Sequence, residues 1–450
     1  MGPKTAFICS ACQASAPRWA GQCTDCGAWN TLDEAIVTSR KTLAPQHVKH
    51  LRPLCDVEVT PDLRFSSGLS EFDRVLGGGL VQGGVLLLGG EPGIGKSTLS
   101  LQLSLALATD KPVLYVTAEE SEKQLFLRAQ RLGTIPPSLY ILSESNIHVI
   151  LQAIHTLQPK VVILDSIQVV MDPEVPSVAG SVNQVRHCAS ILIQALKQIS
   201  ASGIFIGHIT KEGQLAGPKV LEHLVDVILY LEGERQQQYR ILRCFKNRFH
   251  HTQDIGVFEM CETGLRGIKN PSAIFMDETS MGVPGAVIVA TREGSRIFLI
   301  EVQALVVDSG YGMAKRTFLG VDPNRANLMI AAMEKIAGVR LSTKDVILNI
   351  VGGFRASEPA VDLGIVYAIL SSTYDIALPK GFAVYGEVGL TGEVRGAPQS
   401  GLRLQELIKM GFSGCILPQK DEESLPQDAH FKHWSVASLK DAITLFSKFK

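Results

Sequence analysis

The sequence predicts an α/β protein with a mostly parallel sheet, preceded by a small metal-binding module and followed by a second α/β domain. Three observations carry this prediction. A short apolar strand, a glycine-rich loop and a helix follow one another between residues 84 and 108. Apolar strand-like runs then alternate with helical stretches to about residue 270, as in a parallel sheet covered by helices. Two Cys-x-x-Cys pairs lie near the start of the chain.

The length of 450 residues suggests two or three domains, and 46% apolar with 19% charged residues is a globular composition. The net charge of −1 excludes a general polyanion binder, so any contact with nucleic acid must be local. No apolar run approaches the roughly 18 residues of a membrane span. The first residues form neither an apolar signal segment nor a myristoylation motif. We therefore expect a cytoplasmic protein without a membrane partner.

Composition divides the chain into four expected regions. Residues 36–60 are polar, basic and aperiodic, and they contain Pro45 and Pro53, which is typical of a linker. The alternating strand and helix pattern resets near residue 270. The expected order is therefore a cysteine module at 1–35, the linker at 36–60, an α/β domain at 61–270 and a second α/β domain at 271–450.

The two Cys-x-x-Cys pairs are separated by ten residues and suit a tetrahedral Zn²⁺ ion. The predicted ligands are Cys9, Cys12, Cys23 and Cys26. A segment this short cannot build a useful apolar core, so zinc would supply its folding energy. Trp19 and Trp29 offer apolar cover. A redox dithiol is the alternative, and two pairs at this spacing disfavour it. The ligands leave open whether the ribbon binds DNA, binds protein or braces the fold. The remaining cysteines are interpreted as buried thiols: Cys55, Cys188, Cys244, Cys261 and Cys415.

The glycine-rich loop matches the phosphate-binding pattern G-x-x-x-x-G-K-[ST]. Its nucleotide-binding residues are Gly90, Glu91, Pro92, Gly93, Ile94, Gly95, Lys96, Ser97 and Thr98. The glycines let backbone N–H groups turn toward phosphates. Lys96 is expected to pair with the β- and γ-phosphates of ATP, and the Ser97 hydroxyl to ligate Mg²⁺. A chance glycine-rich turn is the alternative, and the flanking strand and helix disfavour it.

Polar residues at the ends of later strands complete a nucleoside triphosphatase site. Asp165 ends the apolar run from Val161 and is expected to hold the Mg²⁺ shell. Glu119 and Glu120 follow the predicted strand Val113–Thr117, and Glu119 is predicted to orient the attacking water. A solvated helix start is the alternative, because acidic residues are common there. His208 ends a third strand as a candidate γ-phosphate sensor, although a structural histidine is commoner.

These motifs resemble those of the RadA (Sms) family of bacterial DNA-repair proteins, and the core resembles RecA. The matching stretches are the cysteine module, Leu76–Gly79, Tyr115–Ser121, Gly207–Gly213, Ala216–Pro218, Leu221–Asp226 and Lys246–His250. The family's Lys-Asn-Arg-Phe-Gly hallmark here ends in His250. This substitution suggests that the backbone needs no positive φ at that position.

The resemblance implies a DNA-dependent ATPase that works as a homo-oligomeric ring, expected to be a hexamer. It implies branch migration in homologous recombination, on single-stranded and branched DNA, in the bacterial cytoplasm. The recombinase RecA or a replicative helicase would be its protein partner. Lys246 and Arg248 would reach the phosphates of a neighbouring subunit, where cations stabilise transition-state charge. A solvated basic strand end is the alternative for both.

In RecA-like proteins two loops face the ring channel, and here they would be Val169–Arg186 and Thr210–Lys219. The resemblance implies DNA contacts by Arg186, Lys211 and Lys219. Small polar residues with a few cations suit contacts to a single-strand backbone. Neither loop contains an aromatic residue, so we expect little sequence preference. Most such loops are merely solvated, and only the resemblance makes this assignment.

Residues 285–450 resemble the proteolytic domain of Lon, which uses a Ser nucleophile activated by a Lys. Here Ala360 stands where the Ser should be, and Gly392–Gly401 contains no Lys. The domain is therefore expected to be a proteolytically inactive scaffold for ring assembly, with duplex-DNA binding as a further option. A basic face or a dispersed solvated surface would arise from Arg292, Arg296, Lys315, Arg316 and Arg325.

The sequence favours an ATP-driven DNA motor and leaves three other classes open. An ATP-regulated protease is opposed by the missing dyad. A DNA-binding adaptor that uses ATP only as a switch would show slow, DNA-independent turnover. A strand-exchange protein is opposed by the cysteine module and the Lon-like tail.

Overall fold

The computed structural model describes residues 5–10, 14–16, 18–36, 63–207, 221–233, 238–273, 275–276, 281–310, 313–424 and 431–449. The chain forms two compact units, Met1–Pro61 and Asp62–Lys450. The expected boundary near residue 270 remains a prediction, and the linker lies outside the described residues apart from Ile36. No helix within the described ranges is both long and apolar enough to cross a membrane.

The first unit is a small antiparallel sheet. Its strands are β1 (Thr5–Cys9), β2 (Ser15–Ala16) and β3 (Leu32–Ile36), with β1 in the centre. Cys9, Cys23 and Leu32 form its buried cluster. Trp19 and Trp29 are 59% and 70% exposed, so the prediction that they cover the cysteines is wrong. The small cluster provides little apolar burial, so the fold depends on other interactions.

The second unit begins with a small two-stranded sheet, β4 (Arg64–Phe65) and β5 (Leu80–Val81). The strands of its large sheet are β6 (Val85–Gly90), β7 (Val113–Thr117), β8 (Leu139–Ser143), β9 (Val161–Asp165), β10 (Ser202–Ile206), β11 (Val227–Glu232), β12 (Tyr239–Asn247), β13 (Ile255–Cys261) and β14 (Gly264–Gly267). The helices are α1 (Ser70–Leu76), α2 (Lys96–Leu107), α3 (Glu122–Leu132), α4 (Ile147–Leu157) and α5 (Val182–Gln198).

The strand order of the large sheet is β14-β13-β12-β11-β6-β10-β9-β7-β8. The run from β11 to β8 is parallel, and β12 to β14 extend it antiparallel. Side chains of β6 alternate between two apolar clusters, Leu86 and Leu88 in one, Val85 and Leu87 in the other. Both faces are therefore covered, which is why the strand reads as a continuous apolar run. The α/β prediction with a mostly parallel sheet is confirmed.

The C-terminal region is also mixed α/β. Its strands are β15 (Ala286–Glu293), β16 (Arg296–Asp308), β17 (Arg316–Leu319), β18 (Lys344–Ile350), β19 (Phe382–Val384), β20 (Glu387–Val388), β21 (Val394–Arg395), β22 (Gly414–Pro418) and β23 (Lys432–Val436). Its helices are α6 (Pro323–Ala337), α7 (Asp362–Tyr374), α8 (Ser400–Lys409) and α9 (Leu439–Phe446). Its main sheet has the order β17-β18-β16-β15-β19-β22-β23.

A buried ion pair joins the two large sheets. Glu71 of α1 is 1% exposed, and its carboxylate accepts a 2.7 Å hydrogen bond from Arg296 at the start of β16. The same oxygen accepts from the Val257 N–H of β13 at 3.0 Å. Ile255 and Val257 also pack in the apolar cluster of the C-terminal region. Apolar packing and the Glu71–Arg296 ion pair therefore both connect the two sheets.

Candidate functional site

The phosphate loop lies between β6 and α2 at the carboxyl edge of the parallel strands. Gly90, Gly93 and Gly95 have φ values of 156°, 80° and 117°, which other residues rarely adopt. A Cβ on Gly90 would lie 2.6 Å from the Leu231 carbonyl oxygen. The loop therefore requires glycine for both conformation and space. Its backbone leads directly into the N-terminus of α2, where phosphates bind readily.

Lys96 lies in the site and is nearly fully buried. Its Nζ donates to the carbonyl oxygens of Gly90 at 2.8 Å and Glu91 at 2.9 Å. Burial lowers the pKa of Lys96 to about 8, while Asp165 and Glu119 raise it. The lysine is thus held inside its own loop, beside two carboxylates.

Asp165 ends β9 and lies 7% exposed beside the loop. Its Oδ2 accepts a 2.8 Å hydrogen bond from the buried Tyr115 hydroxyl of β7. Burial raises the pKa of Asp165, and hydrogen bonds from Ser97 and Tyr115 lower it. Burial, and next the Asp165 charge, raise the pKa of Tyr115 well above its usual range. Ser97 and Asp165 together offer oxygen donors, the ligand type that Mg²⁺ prefers.

Glu119 and Glu120 follow β7 and have different partners. Glu119 Oε1 accepts a 2.5 Å hydrogen bond from Ser166 Oγ, next to Asp165; the Asp165–Ser166 peptide bond is cis. Glu120 instead forms an ion pair with Arg128 of α3. Glu119 therefore faces the lysine and aspartate, and Glu120 is turned toward a helix. Sequence reasoning missed the roles of Tyr115 and Ser166. Ser166 directly follows Asp165, and Tyr115 lies two positions before Thr117, which pairs with Asp165.

The predicted DNA residues are only partly described. Arg186 is exposed and lies on α5, which begins at Val182, so the first predicted loop ends earlier than expected. Gln184 is fully buried and bonds to the backbone of Asp172, so it cannot contact DNA. His208, Lys211 and Lys219 lie outside the described residues. The structure thus places Arg186 alone of the three predicted DNA contacts.

Lys246 and Arg248 lie at the end of the sheet where the parallel strands begin, opposite the end that carries the phosphate loop. Asn247 is paired with Val227, which is paired with Leu86 near the start of β6. Gly90 is four residues further along, about 13 Å at the rise of an extended strand. Neither cation can therefore reach the phosphate loop of its own chain.

The two cations differ in their partners. Lys246 Nζ donates to the carbonyl oxygens of Glu222 at 2.6 Å and Val225 at 2.8 Å. Burial, and then the Arg248 charge, lower the pKa of Lys246. Arg248 is 55% exposed and lies 3.6 Å from Asp226. The arginine is therefore the more accessible of the two.

His250 is not among the described residues with a positive φ. Its ring instead fills the space above Gly77, where a Cβ would lie 2.3 Å from the imidazole. The suggestion that this position needs no positive φ is confirmed.

Three predicted zinc ligands cluster in the first unit. The Sγ atoms of Cys9, Cys23 and Cys26 lie within 4.8 Å of one another, and Cys12 lies outside the described residues. The Cys9 and Cys26 sulfurs are 3.7 Å apart. Tetrahedral zinc with bonds of about 2.3 Å separates its sulfurs by about 3.8 Å. The thiols therefore fit zinc without rearrangement.

The position that the sequence analysis compared with the Lon nucleophile is buried. Ala360 is 2% exposed, and its carbonyl oxygen accepts from the Gly386 N–H at 2.7 Å. Two residues earlier, Glu358 forms an ion pair with Arg403, which is fully buried. Arg403 also donates to the Ala290 carbonyl oxygen. A structural ion pair therefore lies beside the position where a nucleophile would be needed.

Most of the five cations considered for a basic face form ion pairs or hydrogen bonds within the chain. Arg296 pairs with Glu71, and Arg325 forms a two-pronged ion pair with Asp362. Further bonds are made by Arg292 to Glu358 and by Arg316 to the carbonyls of Lys344 and Leu341. Three of the five charges are therefore paired with carboxylates, which favours a dispersed surface over a free basic face.

Comparisons with known proteins agree with this architecture. Residues 52–214 match the AAA domain family, and residues 7–34 match the rubredoxin metal binding domain family. The chain is 45% identical to the DNA repair protein RadA of Pseudomonas aeruginosa, covering 92% of this chain and 93% of the relative. It is 42% identical to the RadA of Bacillus subtilis and 43% identical to that of Chlamydia pneumoniae, each over 98% of both chains. A solved KaiC-like protein of Pyrococcus horikoshii is 20% identical with a TM-score of 0.39, over 46% of this chain and 100% of that one.

The family matches identify the cofactors. The AAA domain match, together with the phosphate loop, assigns ATP and Mg²⁺ to the second unit. The rubredoxin-type match, together with the cysteine cluster, assigns Zn²⁺ to the first. The α/β core, the zinc ribbon and the cofactors ATP, Mg²⁺ and Zn²⁺ predicted from the sequence are therefore confirmed.

Proposed function

Because this chain belongs to the RadA family of DNA repair proteins, we propose that it is a DNA-dependent ATPase that drives branch migration of recombination intermediates in the bacterial cytoplasm. The observation that carries the ATPase is the convergence of Lys96, Asp165 and Glu119 at one edge of the sheet. The DNA substrate and the motor activity rest on the family.

Each residue of the site has a role that follows from its position. Lys96 exchanges its two carbonyl acceptors for the phosphates of ATP, and Ser97 and Asp165 hold the Mg²⁺ shell. Mg²⁺ held there would neutralise the negative charge that develops on the phosphates. Glu119, held by Ser166, accepts a proton from the attacking water. Tyr115 positions Asp165 through the hydrogen bond between its hydroxyl and the carboxylate.

Lys246 and Arg248 act on a neighbouring subunit in a homo-oligomeric ring, which we propose to be a hexamer. Their distance from the phosphate loop of their own chain supports this role, since cations that stabilise γ-phosphate charge must touch it. Arg248 is the more exposed of the two, which supports its proposed entry into the next subunit's site.

A mixing experiment tests the action between subunits. Lys96→Ala and Arg248→Ala should each abolish ATP turnover alone. Mixed in equal amounts, they should regain activity, because an interface with an intact loop on one side and an intact arginine on the other is complete. Lys409→Ala, which removes an exposed cation on α8, serves as the control for ring formation. A mixture as inactive as its components would refute the role between subunits.

DNA contacts are proposed for Arg186, Lys211 and Lys219, which would bind the backbone of single strands without sequence preference. Arg186→Ala should lower the affinity for single-stranded DNA uniformly across sequences and reduce the salt-dependence slope by about 1. Lys197→Ala, which removes an exposed cation at the other end of α5, should leave the slope unchanged. Equal salt-dependence slopes in both variants would show that Arg186 does not contact DNA.

The central test is steady-state ATP hydrolysis with and without single-stranded DNA, with Lys96→Ala as the blank. Stimulation by DNA that the variant abolishes supports the motor, and movement of a branch point in a synthetic junction then tests branch migration. Turnover indifferent to DNA would favour an ATP-switched adaptor. The RecA recombinase and a replicative helicase are the partners we propose to test on the same junction. The closed surroundings of Ala360 favour a scaffold over a peptidase.

A further inference from the structure

A cluster of two imidazoles and one carboxylate lies between β12 and β13, away from the nucleotide site. We propose that His250, His251 and Asp254 form a binding site for a divalent transition metal, separate from the zinc ribbon and from the Mg²⁺ site. Their candidate ligand atoms lie within 4.8 Å of one another. Because the cluster follows the end of β12, it lies near the starts of the parallel strands, opposite the end that carries the phosphate loop.

The distances between these atoms match those of a metal coordination sphere. Asp254 Oδ2 lies 3.1 Å from His250 Nε2 and 3.5 Å from His251 Nε2. Tetrahedral zinc with bonds of about 2.0–2.1 Å separates its ligand atoms by about 3.3 Å. The two distances from the carboxylate to the imidazoles therefore need shifts of only a few tenths of an ångström to match metal coordination, and the two imidazole nitrogens lie within 4.8 Å of each other.

The surrounding bonds orient the ligands before any metal arrives. Ser295 donates its hydroxyl to Asp254 Oδ1, which leaves Oδ2 directed at the two imidazoles. The Ser295 N–H also bonds to the Gln253 carbonyl oxygen at 2.8 Å. Asn247 Oδ1 accepts from the His250 N–H at 3.1 Å and fixes the turn that carries it. Hydrogen bonds of this kind to a ligating carboxylate orient it and are typical of metal sites.

The donor set selects the kind of metal. Two imidazoles and one carboxylate suit Zn²⁺, Ni²⁺, Cu²⁺ or Co²⁺ and differ from the all-oxygen set that Mg²⁺ prefers. The His251 side chain is 54% exposed, so water can occupy the remaining coordination position. The bound ion would join the end of β12 to the start of β13, and through Ser295 to the turn between β15 and β16.

The test uses the full chain with its ribbon loaded with zinc, dialysed against buffered free Zn²⁺, and counts bound metal per chain. The parent should hold one equivalent more than the ribbon accounts for. His251→Ala should lower the affinity for that equivalent at least about tenfold. Asp254→Asn, which keeps an acceptor for Ser295, should lower it as well. His155→Ala removes an exposed imidazole on α4 and should change nothing.

Co²⁺ as a spectroscopic probe identifies the donors of the extra equivalent. Binding at the cluster should give visible ligand-field bands without the thiolate charge-transfer band that Co²⁺ in the ribbon would produce. The proposal is overturned if the parent binds no equivalent beyond the ribbon, or if His251→Ala binds that equivalent as tightly as the parent. In either case the trio is a hydrogen-bonded cluster only.

Discussion

Glu71 is expected to hold the two large sheets together, and its removal should destabilise the whole region from residue 62 onward. Glu71→Ala deletes a carboxylate that is 1% exposed and leaves Arg296, itself 13% exposed, without its 2.7 Å partner. It also leaves the buried Val257 N–H without an acceptor. Removing one partner of a buried ion pair costs about 3–5 kcal/mol.

Differential scanning calorimetry measures this loss. At about 2–4 °C per kcal/mol for domains of 150–250 residues, the expected fall in Tm is roughly 6–20 °C. Glu71→Gln should lose less, because an amide oxygen still accepts from Val257. Asp308→Ala serves as the matched control, since it removes an ion pair at the other end of β16 whose carboxylate is 86% exposed. A Tm for Glu71→Ala no lower than that of the control would refute the reasoning.

Three further predictions follow from buried contacts. Tyr115→Phe removes a hydrogen bond that lowers the pKa of Asp165, and the pKa of Asp165 should therefore rise. The Mg²⁺ concentration required for ATP turnover should then increase roughly tenfold, and the increase should be larger at pH 6 than at pH 8. Lys96 must be protonated to bind phosphates, and its pKa is about 8. Nucleotide affinity should therefore be constant below pH 8 and fall up to about tenfold per pH unit above it. Titration with a fluorescent ATP analogue measures this affinity. Gly364→Ala places a Cβ 2.2 Å from a methyl group of Val289 and should destabilise by about 1–3 kcal/mol, with partial recovery in the double variant with Val289→Ala.

Each of these has a result that would contradict it. An unchanged Mg²⁺ titration in Tyr115→Phe would mean that the tyrosine does not support the metal ligand. Affinity that does not vary between pH 7 and 9.5 would place the lysine pKa elsewhere. Additive losses in the Gly364→Ala and Val289→Ala pair would mean that the overlap relaxes by another route.

Much of the fold could be predicted because its signals are local. The strands Val113–Thr117 and Val161–Asp165 have the predicted bounds, since both are apolar runs buried on two faces. The phosphate loop and the cysteine pairs are equally local, because their chemistry depends on residues a few positions apart. Helix bounds follow less directly from the sequence. The predicted loop extends to Arg186, but α5 begins at Val182 with a Ser181 side-chain cap.

The tertiary structure decided what depends on residues distant in sequence. Glu71 and Arg296 are 225 positions apart, and no pattern along the chain could pair them. Pairing of β11 with β12 places Lys246 and Arg248 at the end of the strands away from the phosphate loop, and this placement supports the proposed action between subunits. The sequence by itself determined the chemistry that the chain carries, because motifs are short-range. Only the tertiary structure decided which carboxylates and cations meet, because burial and strand pairing act between segments that are distant in the sequence.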